Sequence, residues 1–129
     1  MSDTMKLHGA FSCNELLTHD VDAAKAFYSE LLGWTLNTMD ANGIEYTIAK
    51  VGDTEIAGIM ATPEGAQNMP STWGAYVTVD DVDASVVKAV KLGAKVCKEA
   101  EDCADVGRFA IIQDPTGAML TLVTYKNKD

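Results

Sequence analysis

One segment of the sequence occurs twice, and this repeat constrains the fold more than any other feature. Residues 20–34 read DVDAAKAFYSELLGW and residues 81–94 read DVDASVVKAVKLGA. Each copy begins with an aspartate that can accept amide hydrogen bonds at a helix start, and each has a glycine, Gly33 or Gly93, of the kind that commonly ends a helix. The copies are offset by 61 residues at the aspartates and by 60 at the glycines. A chain that repeats one helix in this way is built from two copies of one unit.

Each predicted helix has one apolar face, which we expect to pack on a sheet. The capping residue is Asp20 or Asp22 in the first copy and Asp81 or Asp83 in the second. The apolar faces consist of Ala24, Phe27, Tyr28 and Leu31 in the first helix and of Val82, Val86 and Val90 in the second.

Strand patterns surround both helices. The predicted strands are residues 11–18, 35–39, 44–51 and 54–60 in the first copy, and 73–79, 95–98, 108–113 and 118–125 in the second. Asn42-Gly43 predicts a hairpin, Asp114-Pro115-Thr116-Gly117 a turn, residues 61–72 a connector, and residues 99–107 an acidic loop. Each copy therefore reads β-α-β-β-β, as modules 10–62 and 73–125 of a single domain over residues 1–129.

Composition excludes several classes of partner. The net charge is −9 and no lysine or arginine cluster occurs, so we expect neither nucleic acid nor a membrane surface as a partner. The sequence has no secretory signal and no long apolar run, which predicts a cytoplasmic protein. Cys13, Cys97 and Cys103 are odd in number and lack metal-knot spacing, so we expect reduced thiols.

The repeat, together with Gly107-Arg108-Phe109 and Asp114-Pro115-x-Gly117, resembles the vicinal oxygen chelate superfamily. That superfamily includes glyoxalase I, bleomycin-resistance proteins, extradiol dioxygenases and fosfomycin-modifying enzymes. The resemblance covers about residues 10 to 125. It implies an α+β fold in which two βαβββ modules form a curved mixed sheet, shaped as a cup, with the helices outside. It does not specify an activity, because one fold hosts many chemistries.

In the enzymes of this superfamily, the cup holds a divalent metal bound by histidine and glutamate side chains. The resemblance places the four ligand positions on Cys13, Gly58, Gly74 and Thr121. A catalytic zinc needs about three protein ligands, and glycine offers none. His8 and His19 lie outside the first strand, away from the expected centre of the cup. We therefore predict no metal and no other cofactor.

Residues that share the strand parity of the ligand positions should line the cup. They are Cys13, Glu15 and Leu17 on strand 11–18, Gly58 and Met60 on strand 54–60, Gly74, Tyr76 and Thr78 on strand 73–79, and Met119, Thr121 and Val123 on strand 118–125. Because the two glycines carry no side chain, this set predicts a mostly apolar cavity with a few polar groups, as small-molecule sites have.

Two charged residues carry the open alternatives. Glu15 is either a general base or ligand anchor, or a structural carboxylate paired with Arg108 or with backbone amides. Arg108 either clamps an anionic group of a ligand or pairs with its acidic neighbours Glu99, Glu101, Asp102 and Asp105. Trp73 and Tyr76 either stack on a flat ligand or seal the join between the modules. A nucleophilic role for Cys13 is weak, because no histidine is placed to activate it.

Three functions remain. The first is a glyoxalase-like or bleomycin-resistance-like protein that binds a small, partly apolar molecule through Cys13, Glu15, Met60, Trp73, Tyr76, Arg108, Met119 and Thr121. The second is a lyase or isomerase with Glu15 as catalytic base and Arg108 as electrophilic support. The third is an interaction module whose cup is filled by its own side chains. Members of the superfamily commonly form homodimers, and open sheet edges give a reason for it. Whether one chain or an exchange between two completes the cup is left open.

Overall fold

The computed structural model describes residues 3–41, 43–62, 68–103 and 106–126. The chain divides into two compact units. The first unit is Cys13–Gly74, and the second unit combines Met1–Ser12 with Ala75–Asp129. Both units contain the β-α-β-β-β order, so the predicted α+β class and the doubled module are confirmed.

The first module contains five elements in chain order. They are β1 (Phe11–Thr18), α1 (Val21–Leu32), β2 (Thr35–Ala41), β3 (Ile44–Val51) and β4 (Thr54–Ala61). Its strands are ordered β2-β3-β4-β1. The β1–β4 pair is parallel and the other two pairs are antiparallel, which makes the sheet mixed.

The second module follows the same plan. Its elements are β5 (Thr72–Thr78), α2 (Val82–Lys91), β6 (Lys95–Cys103), β7 (Gly107–Gln113) and β8 (Met119–Tyr125). The strand order is β5-β8-β7-β6, and β5 and β8 are the parallel pair. In each module the strand before the helix thus pairs in parallel with the last strand.

The repeated aspartates cap the helices, as the sequence predicts. The carboxylates of Asp20 and Asp81 accept hydrogen bonds from the amides of Ala23 and Ala84, at 3.0 and 3.1 Å. Gly33 follows α1 with φ of 71°, in the left-handed region that favours glycine. Of the two candidates in each copy, the cap is therefore Asp20 in the first and Asp81 in the second.

The second unit has an apolar core between its sheet and α2. Buried residues of this core are Val79, Val82, Ala110, Ile112 and Leu122. The prediction for the apolar face of α2 holds at Val82 and Val86 but is wrong at Val90, which is 51% exposed. Ala89 packs against the core instead, because it lies three residues after Val86 on the same side of the helix.

In the first unit, polar contacts connect the helix to the sheet. Lys25 Nζ donates to the hydroxyl of Thr38 at 3.0 Å, and that hydroxyl is 2.8 Å from the hydroxyl of buried Thr47. No described residue of α1 is buried. The predicted packing of Phe27 and Leu31 on the sheet is wrong, since their side chains are 56% and 62% exposed.

Strand β6 is longer than predicted. It runs through Cys103, so most of the expected acidic loop is strand, paired with β7 around irregularities between Val96 and Glu101. The cause is the cross-strand register, which sets Asp102 opposite Arg108 and supplies an attractive charge pair. Asn42 of the predicted hairpin, residues 63–67 of the connector and residues 104–105 of the acidic loop lie outside the described residues.

A segment before β1 belongs to the second unit and was not predicted. It contains a short 3₁₀ helix, Asp3–Lys6, which packs against β8. The Thr78 hydroxyl donates to the Thr4 carbonyl at 2.8 Å, and the Gly9 amide donates to the Thr78 carbonyl at 2.7 Å. Among the residues that the structure describes, no helix is long and apolar enough to cross a membrane.

Candidate functional site

We call the face of each sheet opposite its helix the ligand face, and the other the helix face. In β1, Leu16 and Thr18 lie on the helix face with residues of α1 around them, so Cys13, Glu15 and Leu17 lie on the ligand face. The β1–β4 register places Gly58 beside Glu15. Met60 stands beside Leu17 in the same register.

Glu15 is held by Tyr46 on the ligand face of the first unit. The Tyr46 hydroxyl donates to Glu15 Oε2 at 3.0 Å, and both side chains are partly buried. The phenol lies over Gly58, where an added Cβ would overlap the Tyr46 hydroxyl and ring. The expected empty space at Gly58 is therefore wrong, because a neighbouring aromatic side chain fills it.

Gly74 differs from Gly58. Among the described residues, a Cβ at Gly74 would meet only the Glu15 carbonyl oxygen, at 3.8 Å, an ordinary van der Waals distance. Gly74 thus keeps open space beside the Glu15 backbone, within the first unit. One of the two predicted glycine spaces is filled and the other is open.

The pKa of the Cys13 thiol is raised above its ordinary value. Burial is the main cause that raises its pKa, and the charge of Glu15 raises the pKa further. The sulfur contacts the Asn14 carbonyl at 3.4 Å. Because the thiolate is the form that attacks electrophiles and binds metals, this site suits Cys13 to contact with apolar groups.

The four superfamily ligand positions do not fit a divalent metal. In the first unit they hold a thiol with a raised pKa, a glycine covered by Tyr46, and a glycine without a side chain. Across residues 3–41, 43–62, 68–103 and 106–126, no three histidine, cysteine, aspartate or glutamate side chains group as metal ligands do. No chemistry at these positions can therefore pass through a metal of the superfamily type.

The ligand face of the second unit carries Tyr76, Thr121 and Met119. Tyr76 pairs with Thr121 between β5 and β8, and Thr121 is buried. Met119 is exposed and its sulfur lies 3.7 Å from that of Cys97. Because Thr78 on this face donates to Thr4, the 3₁₀ segment covers part of it. The 3₁₀ segment therefore occupies part of the surface of the second unit that the sequence predicts to bind a ligand.

Arg108 is bonded on two sides by carboxylates. Its Nε and Nη2 donate to both oxygens of Asp83, at 2.8 and 3.0 Å, and Nη1 donates to Asp102 at 3.1 Å. Arg108 in turn lowers the pKa of Asp83 by its hydrogen bond. Of the acidic neighbours that the sequence offers to Arg108, Asp102 is confirmed as a partner. Asp83 was missed because it was considered only as a helix cap.

Trp73 lies in an aromatic cluster within the first unit. Its indole Nε1 donates to the Tyr28 hydroxyl at 2.9 Å, and Tyr28 stacks on Trp34 with centroids 5.3 Å apart. Trp73 remains 37% exposed.

His19 bonds the Met69 carbonyl at 2.6 Å, and His8 accepts from the Asp80 amide at 2.9 Å, so both histidines have structural partners.

Tyr46 is the residue of this site that the sequence did not reveal. Tyr46 sits in β3, diagonal to Gly58 in β4. Diagonal neighbours on one sheet face lie within reach of an aromatic ring. An aromatic residue diagonal to a strand glycine was the available signal, because such a ring can cover the missing side chain.

Residues 12–123 match the family described as a glyoxalase-like domain. A putative glyoxylase, CFP32, of Mycobacterium tuberculosis is 40% identical over 116 residues, which are 89% of this chain and 44% of that protein. The anthracycline biosynthesis protein DnrV of Streptomyces peucetius is 33% identical over 118 residues, 92% of this chain and 42% of that protein. The chain thus spans less than half the length of these relatives.

Solved structures share the fold at low identity. Methylmalonyl-CoA epimerase from Mycobacterium tuberculosis superposes with a TM-score of 0.67 at 20% identity, covering 98% of this chain and 93% of the other. A hypothetical protein from Bacillus halodurans gives a TM-score of 0.70 at 11% identity, covering 92% and 96%.

Proposed function

Because the chain belongs to the family of glyoxalase-like domains, we propose that it binds a small, partly apolar molecule on the ligand face of the first unit. The proposal includes no metal of the superfamily type. The observation that carries it is the open space at Gly74 of β5, beside the backbone of Glu15 in β1. Cys13, the neighbouring ligand-face residue of β1, has a thiol whose pKa is raised by burial. An apolar surface with one fixed polar group is the usual composition of a small-molecule site.

Glu15 is the proposed polar anchor. The Tyr46 hydroxyl already bonds Oε2 and orients the carboxylate, so the carboxylate is presented in one geometry before a ligand arrives. A polar group held in advance costs less ordering free energy on binding. We assign Glu15 the role of accepting a hydrogen bond from a hydroxyl or amine of the ligand, with Cys13 and Met60 as apolar contacts.

The lyase or isomerase alternative draws no support from Arg108. Its guanidinium is bonded to both oxygens of Asp83 and to Asp102, so clamping a substrate would first require breaking these charge-assisted hydrogen bonds. The interaction-module alternative has one observation in its favour, the 3₁₀ segment on the second unit. We therefore confine the proposed ligand contacts to the first unit.

Native mass spectrometry of the purified chain tests the proposal. The protein is incubated with a mixture of branched aliphatic alcohols and amines, which combine apolar carbon with a hydrogen-bond donor and contain no flat ring. We expect a one-to-one adduct that Gly74→Leu, by filling the open space, weakens at least about tenfold. Ala26→Leu, at an exposed position of α1 in the same unit, serves as the control for an added leucine side chain.

Two results would overturn the proposal. One is the absence of any adduct from the whole probe set, and the other is an adduct that Gly74→Leu leaves unchanged. Titration with zinc, nickel and manganese chlorides tests the metal-free part separately. Stoichiometric metal binding that survives dialysis would refute it.

A further inference from the structure

We propose that the helix face of the first unit carries a second binding groove, which takes flat, mostly apolar molecules that are neutral or cationic. The groove lies between α1 and residues 71–73 and has a volume of about 530 Å³. Small-molecule pockets commonly measure roughly 300–1,000 Å³. The inference is independent of the ligand-face site, because Leu16 and Glu15 point to opposite faces of β1.

The floor of the groove is apolar. Leu16, 5% exposed, and Ala24 supply it, so a ligand that enters displaces water from carbon surface. Ala23 and Ala24 carry short side chains on α1, and this shortness leaves the space open between the helix and β1.

The walls of the groove are aromatic and held in place. Phe27 and Trp73 line it and are both partly exposed. Tyr28 fixes both, because it accepts the Trp73 indole hydrogen bond at 2.9 Å and contacts the Phe27 ring edge-to-face with centroids 4.9 Å apart. The Trp34 ring also contacts Trp73, edge-to-face, with the ring centroids 6.0 Å apart. Rings held in this way favour flat partners, since stacking requires a fixed plane.

One end of the groove is polar and carries a negative charge. Asp20 lies there together with Ser71 and Thr18, whose hydroxyls are 3.2 Å apart. The chain has a net charge of −9, so its overall field repels anions and attracts cations. Charge complementarity therefore selects a neutral or cationic aromatic molecule over an anionic one of the same shape.

The chain carries a built-in reporter for this groove. Its only two tryptophans, Trp34 and Trp73, both belong to the aromatic cluster beside it. Proflavine, a flat aromatic cation, and anthracene carboxylate, a flat anion, are titrated separately against the intact protein. We expect proflavine to quench the tryptophan fluorescence saturably, and the anion to bind at least about tenfold more weakly.

Two variants locate the binding. Phe27→Ala removes one wall and Ala23→Leu fills the groove while keeping a good helix former, so each should reduce proflavine affinity at least about fivefold. Leu31→Ala is the matched control, because Leu31 is an exposed apolar residue of α1 outside the groove. Circular dichroism confirms that each variant keeps its fold. Gly74→Leu should leave proflavine binding unchanged, which separates this groove from the ligand-face site.

Three outcomes would overturn the inference. One is proflavine binding that Phe27→Ala and Ala23→Leu both leave intact, and another is equal affinity for the anionic probe. The third comes from sedimentation velocity. If Phe27→Ala dissociates a dimer and proflavine does not bind, the groove is an interface between two copies of the chain.

Discussion

The two helices share a sequence pattern but pack on their sheets by different physical means. Val82 of α2 is 1% exposed in an apolar core, whereas Lys25 of α1 reaches the sheet through the hydroxyl of Thr38. Apolar burial stabilises by roughly 25 cal/mol per Å², while a hydrogen bond adds about 1 kcal/mol net. The difference teaches that a duplicated architecture does not duplicate its energetics. The second unit uses its apolar helix face for stability, and the first leaves Phe27 and Leu31 exposed for other contacts.

The largest expected difference between the units comes from truncating each helix face. Val82→Ala should lower the free energy of unfolding by about 2 kcal/mol, because it leaves a cavity in the core of the second unit. Phe27→Ala should lower it by less than about 1 kcal/mol, since the side chain is mostly in water. Urea unfolding measures both. Equal losses would contradict the contrast drawn between the helices.

The two ligand-face glycines give the next largest effect. Gly58→Ala should destabilise by about 1–3 kcal/mol, because the new methyl group overlaps the Tyr46 ring. Gly74→Ala is the matched control, since both changes replace a strand glycine. It should be neutral or slightly stabilising, because the new methyl group overlaps no described atom and alanine loses less conformational entropy on folding than glycine.

The same urea midpoints test this pair. Tyr46→Ala combined with Gly58→Ala should destabilise by less than the sum of the two single changes, because the overlap is absent from the double variant. A harmless Gly58→Ala would show that Tyr46 does not stand over this glycine.

The 3₁₀ segment sharpens the comparison of the two ligand faces. Thr78→Val should cost about 1 kcal/mol and raise the rate of tryptic cleavage after Lys6, because the Thr4 carbonyl loses its donor. Thr124→Val is the control, since its hydroxyl donates to the Val79 carbonyl at 2.7 Å. That control should change stability to a similar degree but not cleavage after Lys6. Equal cleavage in both variants would mean that Thr78 does not fasten the segment.

The smallest effect concerns Asp83, whose pKa is lowered in the folded chain by Arg108. A carboxylate with a lowered folded pKa adds stability above its unfolded pKa, near 3.9, and loses it as the pH falls through the folded value. Asp83→Asn should therefore lower the urea midpoint slightly at pH 7, and the difference from the parent should vanish in strong acid. The effect is small because the pair is exposed.

Asp22 occupies the corresponding position in α1 and provides the control for the Asp83 experiment. It also lies in the first turn of its helix, but among the described residues it makes no ion pair with a lysine or arginine. Asp22→Asn should therefore lower the midpoint at pH 7 by less than Asp83→Asn does, since it removes only the interaction of the carboxylate with the helix dipole. If Asp83→Asn still has a lower urea midpoint than the parent in strong acid, Asp83 stabilises the fold by something other than its charge.

Local signals predicted most of the fold. Asp20, Gly33 and the strand alternation of residues 11–18 act within a few residues, so the sequence places them directly. The exposure of Phe27 was not predictable, because the helical period shows which residues share a face but not whether the sheet meets that face. It also placed the end of β6 too early, since the pairing of Asp102 with Arg108 depends on register across two strands.

The candidate site was less predictable for a related reason. Glu15, Gly58 and Gly74 were placed on the ligand face by parity, but their partners come from other strands. Tyr46 reaches Glu15 from 31 residues away, and Thr4 reaches Thr78 from 74 residues away. Contacts at such sequence separations depend on tertiary packing, which periodicity does not report.

The second unit is assembled from both ends of the described chain, and this has a consequence for synthesis. As the polypeptide leaves the ribosome, residues 13–74 are complete while residues 3–10 still lack the strands that receive them. The first unit is complete before α2 and strands β6 to β8 are made, whereas the leading segment must wait for Thr78, the residue that bonds both Thr4 and Gly9. A factor that bound residues 3–10 during synthesis would delay folding of the second unit but not of the first.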